Sequence, residues 1–354
     1  MGLIKTALLI IGTSIGAGFL SGAELVRFFR CENFLPPVLL SSGVFFLLTS
    51  LFLLLGRRHG GYDGAVDDLF KRGAPAVNTT LSLLAFIPCA GMLAGLDALA
   101  PKLAPFLSLG GLVLVLVFLR KGMKGISALN AVLVPVLVGF VFFSACGGLA
   151  FTYPAQSRFS GWGIVYAGLN AFLAAPVLMD AGKTAKKPIL SSVLAAAIVA
   201  LCAVCVLGVV TREGESALSA ELPFLFAMRE SKLFYAASAL AILTSLGSSL
   251  YPLLRLAEGL KGRAKNAAKG MILLAAFAFS RFGLKGIVGI FYPLMGCLGL
   301  IFSLICVFDE YFFQKHDEEV HRRRKQAENT GRAHHKVKLK YLTAVHDEVS
   351  KPRL

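Results

Sequence analysis

The sequence predicts an all-α polytopic membrane protein of about ten transmembrane helices, and three observations carry that prediction. The 354-residue chain is 56% hydrophobic and 16% charged, where soluble domains run near 45–50% and about a quarter, and its mean hydropathy is +0.73. Its uncharged stretches are of spanning length. Its basic residues cluster in every second loop. A soluble enzyme and a disordered chain are both excluded by this composition. A β-barrel is excluded too, because its strands are about ten residues long and alternate in polarity.

The uncharged windows are 6–23, 33–56, 73–96, 103–119, 125–157, 159–179, 188–211, 233–254, 270–280 and 286–308. A spanning helix needs roughly 17–25 apolar residues. Window 103–119 just reaches that length, and 270–280 is extended through Lys269, whose amine can snorkel to the interface. The seven Cys include Cys202 and Cys205 on one helix face, read as small apolar packing residues. The N-terminal stretch reads as a first span and not as a cleaved leader.

There are 36 Lys and Arg against 20 Asp and Glu, a formal net charge of +16. In a soluble chain that balance would raise nucleic acid as a partner. Here the charge lies between apolar runs and in the tail, so no nucleic-acid partner is expected. The loops 57–72, 120–124, 183–187 and 255–269 and the tail hold most of the basic residues. The positive-inside rule then places both termini in the cytoplasm and the protein in the cytoplasmic membrane. The tail, 313–354, carries the runs 321–325 and 334–340 and reads as a solvated extension attracted to anionic lipid.

Several segments break the helical pattern. The first span holds Gly12, Gly16, Gly18 and Gly22. Either these glycines let a neighbouring helix approach closely, or the helix is interrupted near Gly16 to Gly18. Glu24 follows, read either as an interfacial partner of Arg27 one turn on or as a gating or coupling carboxylate. In the sixth span Gly168, Asn170 and Pro176 suit either helix–helix glue or an unwound, ligand-coordinating segment. Paired interruptions at matching positions of two five-span halves point to a transporter site built from an inverted repeat. In the eighth span Thr244, Ser245 and Ser248 read as hydroxyls bonding back to their own helix or as oxygen ligands of a desolvated cation. Asp97 beside Lys102, and Asp180 beside Lys183, read as interfacial residues.

The run from Gly12 through Thr13, Ser14, Ile15, Gly16, Ala17, Gly18, Phe19, Leu20, Ser21, Gly22 and Ala23 to Glu24 resembles the opening signature of the YkvI-like membrane proteins. That family lies within the amino acid–polyamine–organocation (APC) transporter superfamily. Leu20 stands where the family usually has Ala. Tyr166 to Asn170, and Phe282-Gly283-Leu284 with Tyr292-Pro293 to Gly296, are similar to the family's later motifs. The resemblance covers about 3–312. It implies a LeuT-like five-plus-five inverted repeat, 3–150 and 159–312, with helices 1 and 6 interrupted. It also implies a substrate site in which Gly16, Ala17 and Gly18 meet a carboxylate while Tyr166, Asn170 and Phe172 line the opposite wall. A sodium ion, if used, would sit between carbonyls from Gly12 to Ile15 and the hydroxyls of Thr244, Ser245 or Ser248.

The expected function is secondary transport of a small solute, an amino acid or related zwitterion, coupled to Na⁺ or H⁺ by alternating access. The alternative is a small-molecule receptor on a transporter fold that signals through its tail. No nucleophile–base constellation or metal-ligand set falls in the spans, so neither an enzyme nor a resident cofactor or metal is expected.

Overall fold

The computed structural model describes residues 1–308 except 31–32, 100, 104, 152–160, 221 and 229–231. The chain divides into two compact units, residues 1–303 and 304–354. Of the second, 304–308 are described as the end of the last helix; the basic tail expected over 313–354 lies outside the described residues.

Every regular element described is a helix: α1 (Leu3–Ser14), α2 (Ala17–Ser21), α3 (Ala23–Phe29), α4 (Leu35–Arg58), α5 (Tyr62–Phe70), α6 (Ala74–Leu84), α7 (Phe86–Leu99), α8 (Phe106–Leu119), α9 (Met123–Ala145), α10 (Trp162–Gly182), α11 (Pro188–Arg212), α12 (Glu215–Ser219), α13 (Pro223–Ala227), α14 (Lys232–Arg255), α15 (Gly262–Phe279) and α16 (Leu284–Phe308). Seven helical segments are long and apolar enough to cross a membrane, and α1 and α8 are shorter apolar helices. With α15, whose first half carries Arg263, Lys265 and Lys269, these account for the ten windows. Proline opens α4, α11 and α13, where its missing N–H costs nothing. Leu47, Val113, Val132, Phe143, Leu274 and Ile290 are each more than 60% exposed. So many exposed large apolar side chains fit a lipid-facing surface and no aqueous one.

The helix ends pair in two sets. On the face that holds Met1, Lys186 N–H donates to the Met1 carbonyl (3.1 Å). The Asp180 carboxylate at the end of α10 is the centre of this face. It accepts from Tyr62 N–H (3.1 Å) and the Tyr251 hydroxyl (2.8 Å), and it pairs with Lys183 (3.1 Å) and Arg255 (3.2 Å). Arg255 also pairs with Asp63. Asp180 thus joins α10, α14 and the α4–α5 turn, beyond the Lys183 pairing expected from sequence. Asp180→Asn is expected to lower stability by about 2 kcal/mol, because it leaves Arg255 and Lys183 short of a partner in a largely buried cluster. A fall in the thermal unfolding midpoint of the detergent-solubilised protein checks this. On the opposite face Arg30 pairs with Glu215 (2.7 Å) and Arg212 donates to the Gly148 carbonyl (3.1 Å). There Asp97 pairs with Arg281 (3.0 Å), a residue far along the chain, and not with the adjacent Lys102.

The first span is interrupted twice. Helix α1 stops at Ser14, Ile15 and Gly16 are non-helical, and α2 begins at Ala17. Gly22 then turns the chain at φ +81° before α3, a left-handed conformation that costs other residues roughly 1–2 kcal/mol. The expected interruption of the sixth span is absent: α10 runs unbroken from Trp162 to Gly182, with Pro176 inside it. Gly168 serves close packing and not unwinding, since a Cβ there would lie 2.6 Å from Leu300 Cγ and 2.7 Å from the Gly296 carbonyl of α16. The Asn170 amide donates to the Tyr166 carbonyl one turn back (3.0 Å), reinforcing the helix. Helix α10 packs closely against α4 and α16, and the small cavity beside Tyr166 and Asn170 is apolar, so unpaired backbone opening there would be costly.

Candidate functional site

The two ends of the Ile15–Gly16 break carry two polar clusters. The first lies at the end of α1. Thr13 and Ser14 hydroxyls both bond back to the Ile10 carbonyl (2.7 and 3.0 Å), drawing on backbone that would otherwise continue the helix. The Gly12 carbonyl, freed from its usual partner four residues on, accepts from Ser245 Oγ of α14 (3.1 Å). Ser245 therefore joins the break directly. Thr244 and Ser248 instead bond to carbonyls of their own helix (2.7 and 3.3 Å). Ile15 is fully buried at the break.

Asn130 of α9 belongs with this cluster and was not anticipated. Its side chain is 0% exposed, a Cβ on Gly12 would lie 2.6 Å from its Cγ, and among the described residues neither amide atom has a hydrogen-bond partner. Leaving a buried amide unsatisfied costs about 1–3 kcal/mol per group. The signal in the sequence is an amide inside an otherwise largely apolar window, 125–157.

The second cluster lies beyond the break. Gly16 is bare because its neighbours occupy the space: a Cβ would meet Met92 Cε of α7 at 2.5 Å and Ser245 Oγ at 3.0 Å. Gly18 is bare because the Glu24 carboxylate lies against it. Ala17 opens α2, and its side chain is outside the described residues. Glu24, in the first turn of α3, is 4% exposed and accepts from the Tyr166 hydroxyl of α10 (3.3 Å). Arg27 does not pair with it; its guanidinium reaches the Gly289 carbonyl (3.5 Å). Tyr292 of α16 reaches α7, where a Cβ on Gly91 would lie 3.0 Å from its hydroxyl. Its hydroxyl is buried and has no hydrogen-bond partner among the described residues. Tyr292 belongs to the Tyr292-Pro293 motif, but nothing in the sequence places it against α7.

The opposite wall is less unified than expected. Tyr166 and Asn170 share one face of α10 and line a small apolar cavity with Val38, Phe45 and Ala196 of α4 and α11. Phe172 points elsewhere, its ring edge-on to Phe302 of α16 at 5.7 Å. The structure thus joins Gly18, Glu24 and Tyr166, and separately Gly12 and Ser245, with Gly16 between them. It does not bring Phe172 to either cluster.

This chain is similar to the uncharacterized membrane protein YkvI of Bacillus subtilis (strain 168), with 24% identity over 334 residues, covering 85% of this chain and 95% of that protein. No family model matches the chain. Among solved structures, a nucleobase-cation-symport-1 family transporter in a closed conformation with bromovinylhydantoin bound aligns with a TM-score of 0.45 and 13% identity, covering 87% of this chain and 74% of that one. A manganese transporter of Eremococcus coleocola aligns with a TM-score of 0.44 and 16% identity, covering 89% and 72%.

Proposed function

We propose that this multi-pass membrane protein is a secondary transporter of a small carboxylate-bearing solute, the class that includes amino acids, working by alternating access. The observation that carries this reading is the buried break at Ile15–Gly16, flanked by Glu24 on one side and by Ser245 with Asn130 on the other. Irregular backbone at membrane depth is tolerated where it lines a ligand or ion path. A buried carboxylate is costly unless its charge is balanced. Glu24 has one hydroxyl partner and no cation partner among the described residues, so a proton or a bound cation is the natural balance for it.

In this reading the solute sits between the first span, α7, α10 and α16, within a LeuT-like five-plus-five repeat of the APC type. The coupling cation is either a proton on Glu24 or Na⁺ among the Gly12–Ile15 carbonyls, Ser245 and Asn130. The Met1 face is cytoplasmic, and the membrane is the cell membrane. Coupling follows from reciprocal linkage: whatever cation favours solute binding is itself favoured by the solute.

The test uses the purified full-length protein in liposomes loaded with unlabelled amino acids or organic acids. Labelled solute outside, with an imposed pH or Na⁺ gradient, is expected to accumulate above its equilibrium level. Saturable binding with no protein-dependent exchange would overturn transport and favour a receptor.

A further inference from the structure

The mouth above Glu24 has an unexpected charge. On the face opposite Met1, an open vestibule is lined by Arg27 and Arg30 of the first span, by Lys285 and Val288 of α16, and by the rings of Phe28 and Trp162. The Phe28 ring lies 6.3 Å from the Trp162 ring and 5.2 Å from that of Tyr166, and the Tyr166 hydroxyl is the one bonded to Glu24. The vestibule therefore leads, through one aromatic layer, to the second polar cluster.

Arg30 is paired with Glu215. Arg27 and Lys285 are exposed, and neither is paired with a carboxylate among the described residues. The positive-inside rule accounts for cations on the Met1 face, where Lys5, Lys124 and Lys183 line a second cavity. It does not account for cations here, because this is the face whose loops are poor in Lys and Arg. Unpaired charge of one sign in a cleft with low-dielectric walls concentrates ions of the opposite sign.

We propose that this vestibule admits a net anion: an organic carboxylate with an apolar body and no ammonium group to cancel its charge. The inference rests on the transporter reading and narrows its solute from zwitterions to anions. Arg27 and Lys285 attract the carboxylate. Phe28, Trp162 and Val288 receive the apolar part, and the aromatic layer separates it from Glu24 until the site opens.

Trp162 is the single tryptophan of the chain, so its fluorescence reports this vestibule alone. In full-length protein in detergent at low salt, quenching by iodide is compared with quenching by caesium, each normalised to acrylamide and to a free tryptophan amide. Iodide is expected to be favoured about tenfold, within the range that charged clefts give. In the double variant Arg27→Gln, Lys285→Gln the preference is expected to fall toward unity, as it should in wild type at high salt. Equal normalised quenching, or a preference that the double variant leaves unchanged, would overturn the proposal.

A matched set then tests the solute: phenylacetate, phenethylamine and phenylalanine titrated against Trp162 emission. Phenylacetate is expected to bind at least tenfold more tightly than either. Tighter binding of the amine or of the zwitterion overturns the anion inference and leaves transport standing. A selective phenylacetate response with no protein-dependent exchange in liposomes supports the anion inference and removes the transporter reading.

Discussion

Replacing Gly18 by alanine is expected to reduce solute flux by about 100-fold while the protein remains folded. A Cβ at residue 18 would occupy the space now filled by the Glu24 carboxylate and its methylene. The obstructed atoms are the far end of a side chain, so Glu24 can swing away and α2 need not move. What is lost is the position of the carboxylate, including its bond from the Tyr166 hydroxyl. A displacement of about 1 Å in a positioned group can cost on the order of 100-fold in turnover. Folding is spared for a second reason. Alanine is favoured over glycine in a helix by up to about 1 kcal/mol, which offsets part of the steric cost. Size-exclusion behaviour and helical circular dichroism should therefore match wild type while uptake does not. Gly18→Ala combined with Glu24→Asp shortens the obstructed side chain by one methylene and is expected to restore part of the flux. Unimpaired uptake by Gly18→Ala would remove Glu24 from the transport path; a misfolded single variant with a folded, active double variant would leave it in place.

The all-helical, polytopic architecture was legible because lipid imposes a length and a polarity on a crossing segment, and both are written locally. The break in the first span was half legible. Four glycines announced that small residues were required, but the same spacing serves close packing. The tie was decided by partners remote in sequence, with Ser245 taking the Gly12 carbonyl and Met92 filling the space at Gly16. In the sixth span the same signals pointed the wrong way. Gly168 and Pro176 looked like a break, yet Gly168 is bare because α16 presses its backbone there. A glycine records that space is short and does not say what fills it. Asn130 and Tyr292 show the converse limit: each is an ordinary polar residue in its own helix and becomes notable only beside Gly12 or Gly91. Asp180 was read through its nearest sequence neighbour, Lys183, whereas Tyr62, Tyr251 and Arg255 arrive from distant segments.

Glu24→Gln is expected to uncouple the protein without closing it. Glutamine keeps the shape of the side chain, and its carbonyl can still accept the Tyr166 hydroxyl, so the geometry around Gly18 is preserved. The variant cannot take up and release a proton. If the proton rides on Glu24, solute-for-solute exchange should continue within a few-fold of wild type, because exchange needs no net movement of the cation. Accumulation against a gradient should vanish. The size of that loss is calculable: a one-unit pH gradient supplies about 1.4 kcal/mol, or roughly tenfold accumulation for one proton per solute, and the variant should show none. Charge adds an independent check. A monovalent anion carried with one proton moves no net charge, so wild-type uptake should ignore an imposed membrane potential. A zwitterion carried with one proton should respond to it. Accumulation by Glu24→Gln that persists under a Na⁺ gradient and fails in Ser245→Ala would move the coupling cation to the other side of the break, among Gly12, Ser245 and Asn130. Gly16 lies between the two clusters, so either cation would act on the same break.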